Sequence, residues 1–395
     1  MVCSYLIDYK EGEKYMKSKE ILIIGGGIAG LAMLQFLRNT HHQVTLIEKA
    51  KQFRSEGAGI MLGINAMSLM QTLGLSEKIL AHGIKLKEFC MIDSHGQLLG
   101  KSDSNYMYEH TGFPTVAIHR SLLHEILCSN LNQENIKLNT TVDTIKSTAG
   151  KTEVVFNDGQ SKTFDLVIGA DGIHSPTRKL CNISSNLRFS GYTCWRFVID
   201  LADDVGYSGA EIWCKGKRFG IVPIGQNKFY CFATCNSSLD AAEYQNLSVR
   251  DFEQLFAGFG GMVQNILSHL SDNHVLIHND IKDQKNICMV NDGIAFMGDA
   301  AHAATPNMGQ GAGMAIEDAY RLFHALASSS TIADALADYD CKRTPRVKLI
   351  RDRSFTIGKV AQWESNLATS LRNRVLKLLP ENGLTKNQIK FLLAY

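Results

Sequence analysis

The sequence contains no apolar run of the ~20 residues that a transmembrane helix needs. Its first 19 residues mix acidic and basic side chains and include no apolar stretch of signal-peptide length. These absences predict a cytoplasmic protein with a short N-terminal extension, residues 1–19, that carries no chemistry.

Dense basic segments and paired cysteine motifs are absent as well. The formal net charge is +2, and no block of lysine and arginine is present, so a nucleic-acid partner is not expected. The ten cysteines are scattered, with Cys231 and Cys235 the closest pair. Because this spacing indicates neither a C-x-x-C zinc site nor a disulfide framework, we expect reduced thiols and no metal site.

A glycine motif follows the first short apolar run. Residues 21–24 have the pattern of a buried strand, and Gly25, Gly27 and Gly30 follow in G-x-G-x-x-G spacing before a helical pattern. Glu48 ends a second predicted strand, at the distance where a dinucleotide site places an acid on the ribose hydroxyls. Since a carboxylate repels a 2′-phosphate, the motif predicts FAD or NAD, not NADP.

A second chemical segment lies far along the chain. Residues 294–297 form an apolar run that ends at Asp299, and Gly309, Gly311 and Gly313 then precede a helical pattern. The bare N–H groups and positive dipole at such a helix start suit an electron-rich group, such as the N1/C2 carbonyl edge of a flavin. His302 in this turn is expected to make a structural hydrogen bond and not to act as a base.

A third segment joins a predicted strand, residues 164–169, to a turn that carries charges at fixed offsets. The turn contains Asp171, Gly172, Ser175 and Arg178. An ordinary β-turn with a solvated arginine explains this segment equally well when it is taken alone.

In this order, the three segments resemble the group A flavoprotein monooxygenases, the family of p-hydroxybenzoate, salicylate and FAD-dependent urate hydroxylases. The resemblance covers most of the chain. It implies FAD as cofactor, NAD(P)H as a transient co-substrate, and O2 captured as a flavin C4a-hydroperoxide that hydroxylates an electron-rich aromatic or polycyclic substrate. One dinucleotide fingerprint is evident, which agrees with transient NAD(P)H binding, and no catalytic side chain is assigned.

The resemblance also implies which residues contact the cofactor. Residues 25–30 and Glu48 would hold the ADP part, Asp171 and Gly172 would lie near the pyrophosphate, Arg120 would lie along the flavin, and Asp299 would bind the ribityl chain. The complete expected set is Gly25, Gly27, Ala29, Gly30, Glu48, Lys49, Arg54, Gly59, Met61, Arg120, Asp171, Gly172, Asp299, Pro306, Gly309, Gly311, Ala312, Gly313 and Met314.

Substrate contacts are expected from Arg196, Arg218 and Tyr230. Arg218 and Tyr230 match, in type and spacing, the arginine and tyrosine that line the ring pocket in the urate-hydroxylase branch, and an arginine fork suits a carboxylate, phenolate or urate oxygen. The alternative is that both arginines are solvent-facing strand ends and that Tyr230 belongs to the core.

The predicted fold class is α/β. A Rossmann-like FAD-binding domain is assembled from residues 20–80, 104–185 and 275–344, an antiparallel sheet from residues 81–103 and 186–274 forms a substrate domain, and C-terminal helices occupy residues 345–395. Residues 85–100 predict a hairpin. An apolar stripe from Phe355 to Val375 fits one helical face, which we expect to pack on the protein body in preference to a membrane surface.

Several functions stay open at this level. Inactivation of a tetracycline-type antibiotic would use the same chemistry, and a flavin-free escort protein could share the scaffold. A flavin-dependent halogenase is disfavoured because Trp195, Trp213 and Trp363 are isolated, with no W-x-W-x-I-P signature. The substrate, the choice between NADH and NADPH, and a monomeric or dimeric state are not determined.

Overall fold

The computed structural model describes residues 16–53, 58–148, 150–201, 208–378 and 381–395, with the backbone alone for residues 381–384. The predicted cofactor contact Arg54 and most of the N-terminal extension therefore lie outside the described residues.

The strands are β1 (Glu20–Ile24), β2 (Gln43–Ile47), β3 (Gly59–Leu62), β4 (Ile84–Lys85), β5 (Glu88–Asp93), β6 (Leu98–Asp103), β7 (Val116–His119), β8 (Ile136–Lys137), β9 (Val142–Thr148), β10 (Lys151–Phe156), β11 (Ser161–Phe164), β12 (Leu166–Gly169), β13 (Leu187–Asp200), β14 (Ala210–Trp213), β15 (Lys217–Gly225), β16 (Lys228–Asn236), β17 (Ile277–Gln284), β18 (Val290–Asn291) and β19 (Ile294–Phe296). The helices are α1 (Ile28–Leu37), α2 (Ile64–Thr72), α3 (Ser76–His82), α4 (Ser104–Thr111), α5 (Arg120–Cys128), α6 (Pro176–Leu180), α7 (Val249–Phe256), α8 (Met262–Ser268), α9 (Asp299–His302), α10 (Gly311–Ser328), α11 (Ile332–Ala361), α12 (Asn366–Leu378) and α13 (Glu381–Leu392). Short 3₁₀ turns cover Gln133–Asn135, Ala242–Tyr244 and Pro306–Met308.

The first sheet has the order β18-β19-β12-β1-β2-β8, and its strands are parallel except for the edge strand β18. Strands β1, β12 and β19 are almost wholly apolar because α1 and α10 cover the sheet. Parallel neighbours end at one edge of a sheet, so the turns after these three strands emerge side by side. This is the Rossmann-like unit that the sequence predicts, assembled from distant segments.

The second sheet has seven strands in the order β17-β13-β16-β15-β14-β5-β6. One face is packed by aromatic residues of α7 around Trp195 and by aliphatic residues of α8, and the other face is turned to the first unit. The predicted hairpin is confirmed as β5 and β6. The expectation of a wholly antiparallel sheet needs one correction, because β5 joins β14 in parallel.

Helix α11 runs without a break through Pro345, so it crosses the domain boundary predicted between residues 344 and 345. Proline removes one helical hydrogen bond, to the carbonyl four residues earlier. That carbonyl belongs to Cys341, which is exposed, so water can replace the missing donor. A single helix across residues 355–375 is likewise wrong, since α11 ends at Ala361 and α12 begins at Asn366.

The predicted packing of the C-terminal apolar stripe is also wrong. On α12, Leu367, Leu371 and Val375 are exposed, whereas Thr369 and Arg372, on the opposite side of the same helix, are buried. Arg372 Nη1 donates to the Ala361 carbonyl at 2.9 Å. Because the last carbonyls of a helix lack partners within the helix, this bond turns the polar side of α12 inward. Across the described residues, no helix has the length and apolar content to cross a membrane.

Candidate functional site

The turns after β1, β12 and β19 touch one another. In the ladder Ile24 pairs with Gly169, and Gly169 pairs with Phe296. A Cβ placed on Gly25 would lie 2.5 Å from the Ala170 carbonyl oxygen, and one on Gly298 would lie 3.0 Å from the Ala29 Cβ. The three segments that the sequence singles out therefore share one edge of the sheet.

The first and last glycines of the G-x-G-x-x-G motif have a different role from the middle one. Gly25 has φ +112°, and a Cβ on Gly30 would lie 2.0 Å from the Gly25 carbonyl oxygen, so α1 packs tightly against the turn. A Cβ on Gly27, by contrast, would meet no atom within 4 Å. The motif thus forms a tight turn with free space above Gly27.

Glu48 fastens the glycine turn to the end of β2. Its Oε2 accepts from the Gly26 N–H at 2.8 Å, and its Oε1 accepts from the Ala50 N–H at 2.9 Å. Each carboxylate oxygen keeps a further lone pair for a ligand hydroxyl. Lys49, next in the chain, is exposed.

Asp171 organises the second turn. Its Oδ2 accepts from the Thr177 N–H at 2.8 Å and from the Thr177 hydroxyl at 2.7 Å, and its Oδ1 accepts from the Ser175 hydroxyl. Gly172 has φ +84°, and a Cβ there would meet nothing within 4 Å. Asp171 therefore holds the start of α6 while Gly172 leaves room beside it.

The alternative of a solvated Arg178 is wrong. Arg178 is buried and donates to the carbonyls of Ala300 at 3.0 Å, Ser184 at 3.2 Å and Asn286 at 3.3 Å. The bond to Ala300 ties the second turn to the third.

The space beside the three turns is called the recess below, and Asp299 borders it. The Asp299 carboxylate accepts no hydrogen bond from the described residues. Its side chain is accessible to solvent, yet protein atoms surround it, so burial raises the pKa of this carboxyl, with His302 and Arg120 opposing. Arg120 is exposed, and its backbone N–H donates to the Ala58 carbonyl at 3.0 Å. An exposed carboxylate without a protein partner suits hydroxyl donors on a ligand.

The start of α10 completes the recess. Its first helical backbone bond runs from the Met314 N–H to the Gln310 carbonyl at 2.8 Å, so the N–H groups of Gly311, Ala312 and Gly313 have no partner within the helix. Before them, Pro306 is exposed and Gly309 has φ +62°, with the Met61 Cε 3.5 Å from where its Cβ would stand. Free N–H groups and the positive helix pole favour an electron-rich ligand edge.

A buried ionic network behind α10 was not predicted. Asp318 accepts from the Gly298 N–H at 2.9 Å, from His302 Nε2 at 2.6 Å and from Arg343 Nε at 2.8 Å. Burial alone would raise the pKa of Asp318, but His302 and Arg343 together hold it below its usual value. The structural hydrogen bond expected of His302 is confirmed.

Glu317 extends the same network. It accepts from Arg343 Nη1 at 2.8 Å, from Arg346 Nη2 at 2.6 Å and from Asn65 Nδ2 at 2.6 Å. Two adjacent acids within the apolar pattern of α10, with two arginines three positions apart on α11, were the available sequence signal.

The predicted substrate residues share one face of the second sheet. Arg196 pairs with Phe232 in the ladder, Tyr230 with Val222, and Arg218 with Thr234, so all three side chains point away from α7 and α8. Tyr230 contacts the first unit, because a Cβ on Gly59 would lie 2.4 Å from the Tyr230 Cβ. The alternative of solvent-facing arginines is wrong for Arg218, which is 3% exposed.

Arg218 and Arg196 differ in their partners. Arg218 Nη1 donates to Glu211 Oε1 at 2.9 Å, and its Nε donates to Gln362 Oε1 at 3.0 Å. Arg196 Nη1 donates to the amide oxygen of Asn279 at 3.2 Å. The charge of Arg218 is therefore compensated inside the protein, by residues that sequence reasoning missed.

Comparison with known proteins shows which family has this fold and these motifs. The family model described as the FAD binding domain matches residues 18–354. Aurachin C monooxygenase/isomerase of Stigmatella aurantiaca is 30% identical over 94% of this chain and 98% of its own length. The 2-heptyl-3-hydroxy-4(1H)-quinolone synthase of Pseudomonas aeruginosa is 31% identical over 91% of this chain and 94% of its own length.

This chain belongs to the group A FAD-dependent monooxygenases. A solved structure of Klebsiella pneumoniae HpxO with FAD and uric acid has a TM-score of 0.88, covering 97% of this chain and 99% of that one at 24% identity. That likeness shows the shared fold. The FAD monooxygenase therefore has the cofactor, the enzyme class and the architecture that its sequence predicts.

The recess of the FAD monooxygenase fits its cofactor. Space is open above Gly27, Gly172 and Gly311, where a Cβ would meet no atom within 4 Å. The Asp299 carboxylate and the helix start at Gly311 offer an acceptor and donors of the kind that ribityl hydroxyls and a flavin edge require.

Gly27→Ala is expected to leave the folded protein intact and to weaken FAD binding at least about tenfold, because the added methyl enters the open space and not the protein. Gly258→Ala is the matched control, since a Cβ there also meets no atom within 4 Å but lies far along the chain from the recess. Flavin absorbance per protein and thermal unfolding of the flavin-free forms measure the two effects. Equal FAD affinity in both variants would contradict this placement.

Arg343→Met is expected to lower the free energy of unfolding by about 3 kcal/mol or more, because Glu317 and Asp318 stay buried with less cationic compensation. Lys342→Met on the same helix removes an exposed ion pair with Asp338. This change should alter the free energy of unfolding by less than about 1 kcal/mol. Denaturant unfolding compares the two. Similar stabilities would show that the network does not hold the fold.

Proposed function

We propose that this enzyme uses NAD(P)H and O2 to hydroxylate an uncharged, nitrogen-containing aromatic ring that carries a ring carbonyl, with 4-quinolones as the model substrates. The observation that carries this choice is the compensated charge of Arg218. The cofactor contacts are proposed to be the residues named from the sequence, apart from Arg54, which lies outside the described residues.

The electrostatics of the sheet face disfavour an acidic substrate. Glu211 lies 2.9 Å from Arg218, and both side chains are buried. A substrate carboxylate at Arg218 would either meet the Glu211 charge or displace it, and each costs free energy in a desolvated site. A neutral ring avoids this conflict.

The same face of the sheet carries a neutral donor, the Tyr230 hydroxyl, beside a cationic one, Arg196. Burial raises the pKa of the Tyr230 hydroxyl, so this group stays protonated and can donate a hydrogen bond to a ring carbonyl. Arg196 lies beside Tyr230 and interacts with its hydroxyl. Together the two side chains can donate hydrogen bonds to the carbonyl oxygen and so fix the orientation of the ring.

Apolar groups around these donors suit a flat ring. Tyr230 and Phe232 pack with Val198, Val222 and Met61, which join the sheet to β3. A cluster of this kind excludes water and gives an aromatic ring planar contacts.

The relatives support the same class. Two proteins at 30% and 31% identity over nearly the full chain are named for aurachin C and for a 4(1H)-quinolone product. Salicylate hydroxylase of Pseudomonas putida and urate hydroxylase of Klebsiella pneumoniae are less similar to this chain, at 28% and 27% identity.

The division of labour follows from this arrangement. When bound, FAD supplies the redox chemistry that takes electrons from NAD(P)H and activates O2. The start of α10 stabilises negative charge at the flavin edge, Asp299 and Glu48 hold hydroxyls, and the sheet face orients the ring and excludes water. In this proposal no side chain acts as a nucleophile.

A substrate panel tests the proposed class. FAD-loaded enzyme is assayed with 2-heptyl-4(1H)-quinolone, salicylate, uric acid and a tetracycline, with NADH and NADPH in turn. We expect coupled NAD(P)H loss, O2 uptake and a product heavier by one oxygen atom with the quinolone. Coupled turnover of the acids or the tetracycline alone, or peroxide release with every compound, would overturn the proposal.

Tyr230→Phe is expected to raise KM for the accepted substrate about tenfold, because it removes one neutral hydrogen bond, and to leave FAD content unchanged. Tyr244→Phe is the matched control, since Tyr244 packs on Trp195 on the opposite face of the sheet. Steady-state kinetics on both variants decide the matter. An unchanged KM in Tyr230→Phe, or loss of flavin from it, would show that Tyr230 has another role.

A further inference from the structure

Helix α12 presents its apolar side to solvent. Leu367, Leu371, Val375 and Leu378 recur at the spacing of one helical face, and they are 86%, 60%, 49% and 82% exposed. The opposite side, with Thr369, Arg372 and Leu376, faces the protein. A surface helix of a globular protein ordinarily has the reverse arrangement, so this stripe indicates an unfilled contact.

Contacts made by the polar side of α12 fix the orientation of the helix, so the apolar stripe faces outward. Arg372 is buried, donates to the Ala361 carbonyl at 2.9 Å and lies over the Trp213 ring, 5.2 Å from its centroid. Lys377 bonds to Gln97 on the hairpin of β5 and β6. The helix is therefore anchored with the leucines outward.

Helix α12 itself carries charge of one sign, and Glu364, two residues before it, is exposed. Residues 366–378 include Arg372, Arg374 and Lys377 and no acidic residue. Arg374 is exposed next to the stripe, and Lys377 is exposed as well, with its Nζ 3.8 Å from Asp93 Oδ2. Trp363, 37% exposed, precedes the helix. Exposed leucines with a tryptophan and flanking cations are the composition of a helix that lies in an anionic membrane interface.

We propose that α12 docks this enzyme on anionic lipid surfaces, with Leu367, Leu371, Val375 and Leu378 in the acyl boundary and Arg374 at the headgroups. A second copy of the chain fits this face less well. A two-fold pairing of stripes would bring the cations of the two helices together, and α12 carries no acidic residue to offset their repulsion. Anionic lipid instead complements them.

Vesicles test the proposal on the FAD-loaded enzyme. Flotation with phosphatidylglycerol/phosphatidylcholine vesicles should carry the protein with the lipid, and pure phosphatidylcholine or high salt should reduce binding about tenfold. Leu371→Asp should reduce partitioning at least about tenfold, because a charge replaces a leucine that would enter the acyl boundary. Leu239→Asp is the matched control, since Leu239 is exposed at 48% in a loop elsewhere.

Trp363 gives a second readout, because Trp195 and Trp213 are buried at 1% and 5% exposure. Vesicles should shift the tryptophan emission to shorter wavelength, and Trp363→Phe should abolish the shift while flavin content and catalysis in detergent-free buffer stay unchanged. Failure to float, equal flotation of Leu371→Asp, or a dimer in sedimentation velocity that Leu371→Asp converts to a monomer would each overturn the proposal.

Discussion

The geometry of the cofactor recess depends on a buried ionic network between α10 and α11. Asp318 accepts from the Gly298 N–H, so the turn that carries Asp299 is fixed to the helix whose start is proposed to face the flavin edge. Arg343 binds both acids, and Arg346 and Asn65 satisfy Glu317. Since two carboxylates and two guanidinium groups balance, the charges can be buried, but loss of one partner leaves the others uncompensated.

Charge compensation recurs on the substrate side with a different consequence. Glu211 neutralises Arg218, so an arginine that would otherwise attract an acid becomes part of a polar wall. Gln362, at the end of α11, also binds Arg218. One long helix therefore contributes Arg343 to the ionic network and, at its end, Gln362 to the face of the second sheet that carries Arg218, so it contacts both units.

The errors in the sequence-based expectations have a common origin. The apolar period from Phe355 to Val375 indicates helix but misses the break between α11 and α12, and periodicity identifies a face and not what covers it. Arg372 decided the orientation of α12, because it satisfies the carbonyl end of α11. The sequence left the environment of Arg178 open for a similar reason, since its three carbonyl acceptors lie up to 122 positions from it along the chain.

The sequence by itself determined the strand-turn-helix units, the glycine positions, the family and the cofactor, because these depend on local backbone chemistry. Gly25 and Gly30 allow close approaches that are encoded within a few residues. Only the tertiary structure decided that Arg218 is paired with Glu211, that Asp318 holds the Gly298 turn and that α12 exposes its leucines. Ion pairing and burial depend on which distant side chains meet in a medium of low dielectric constant, and no local pattern in the chain records that meeting.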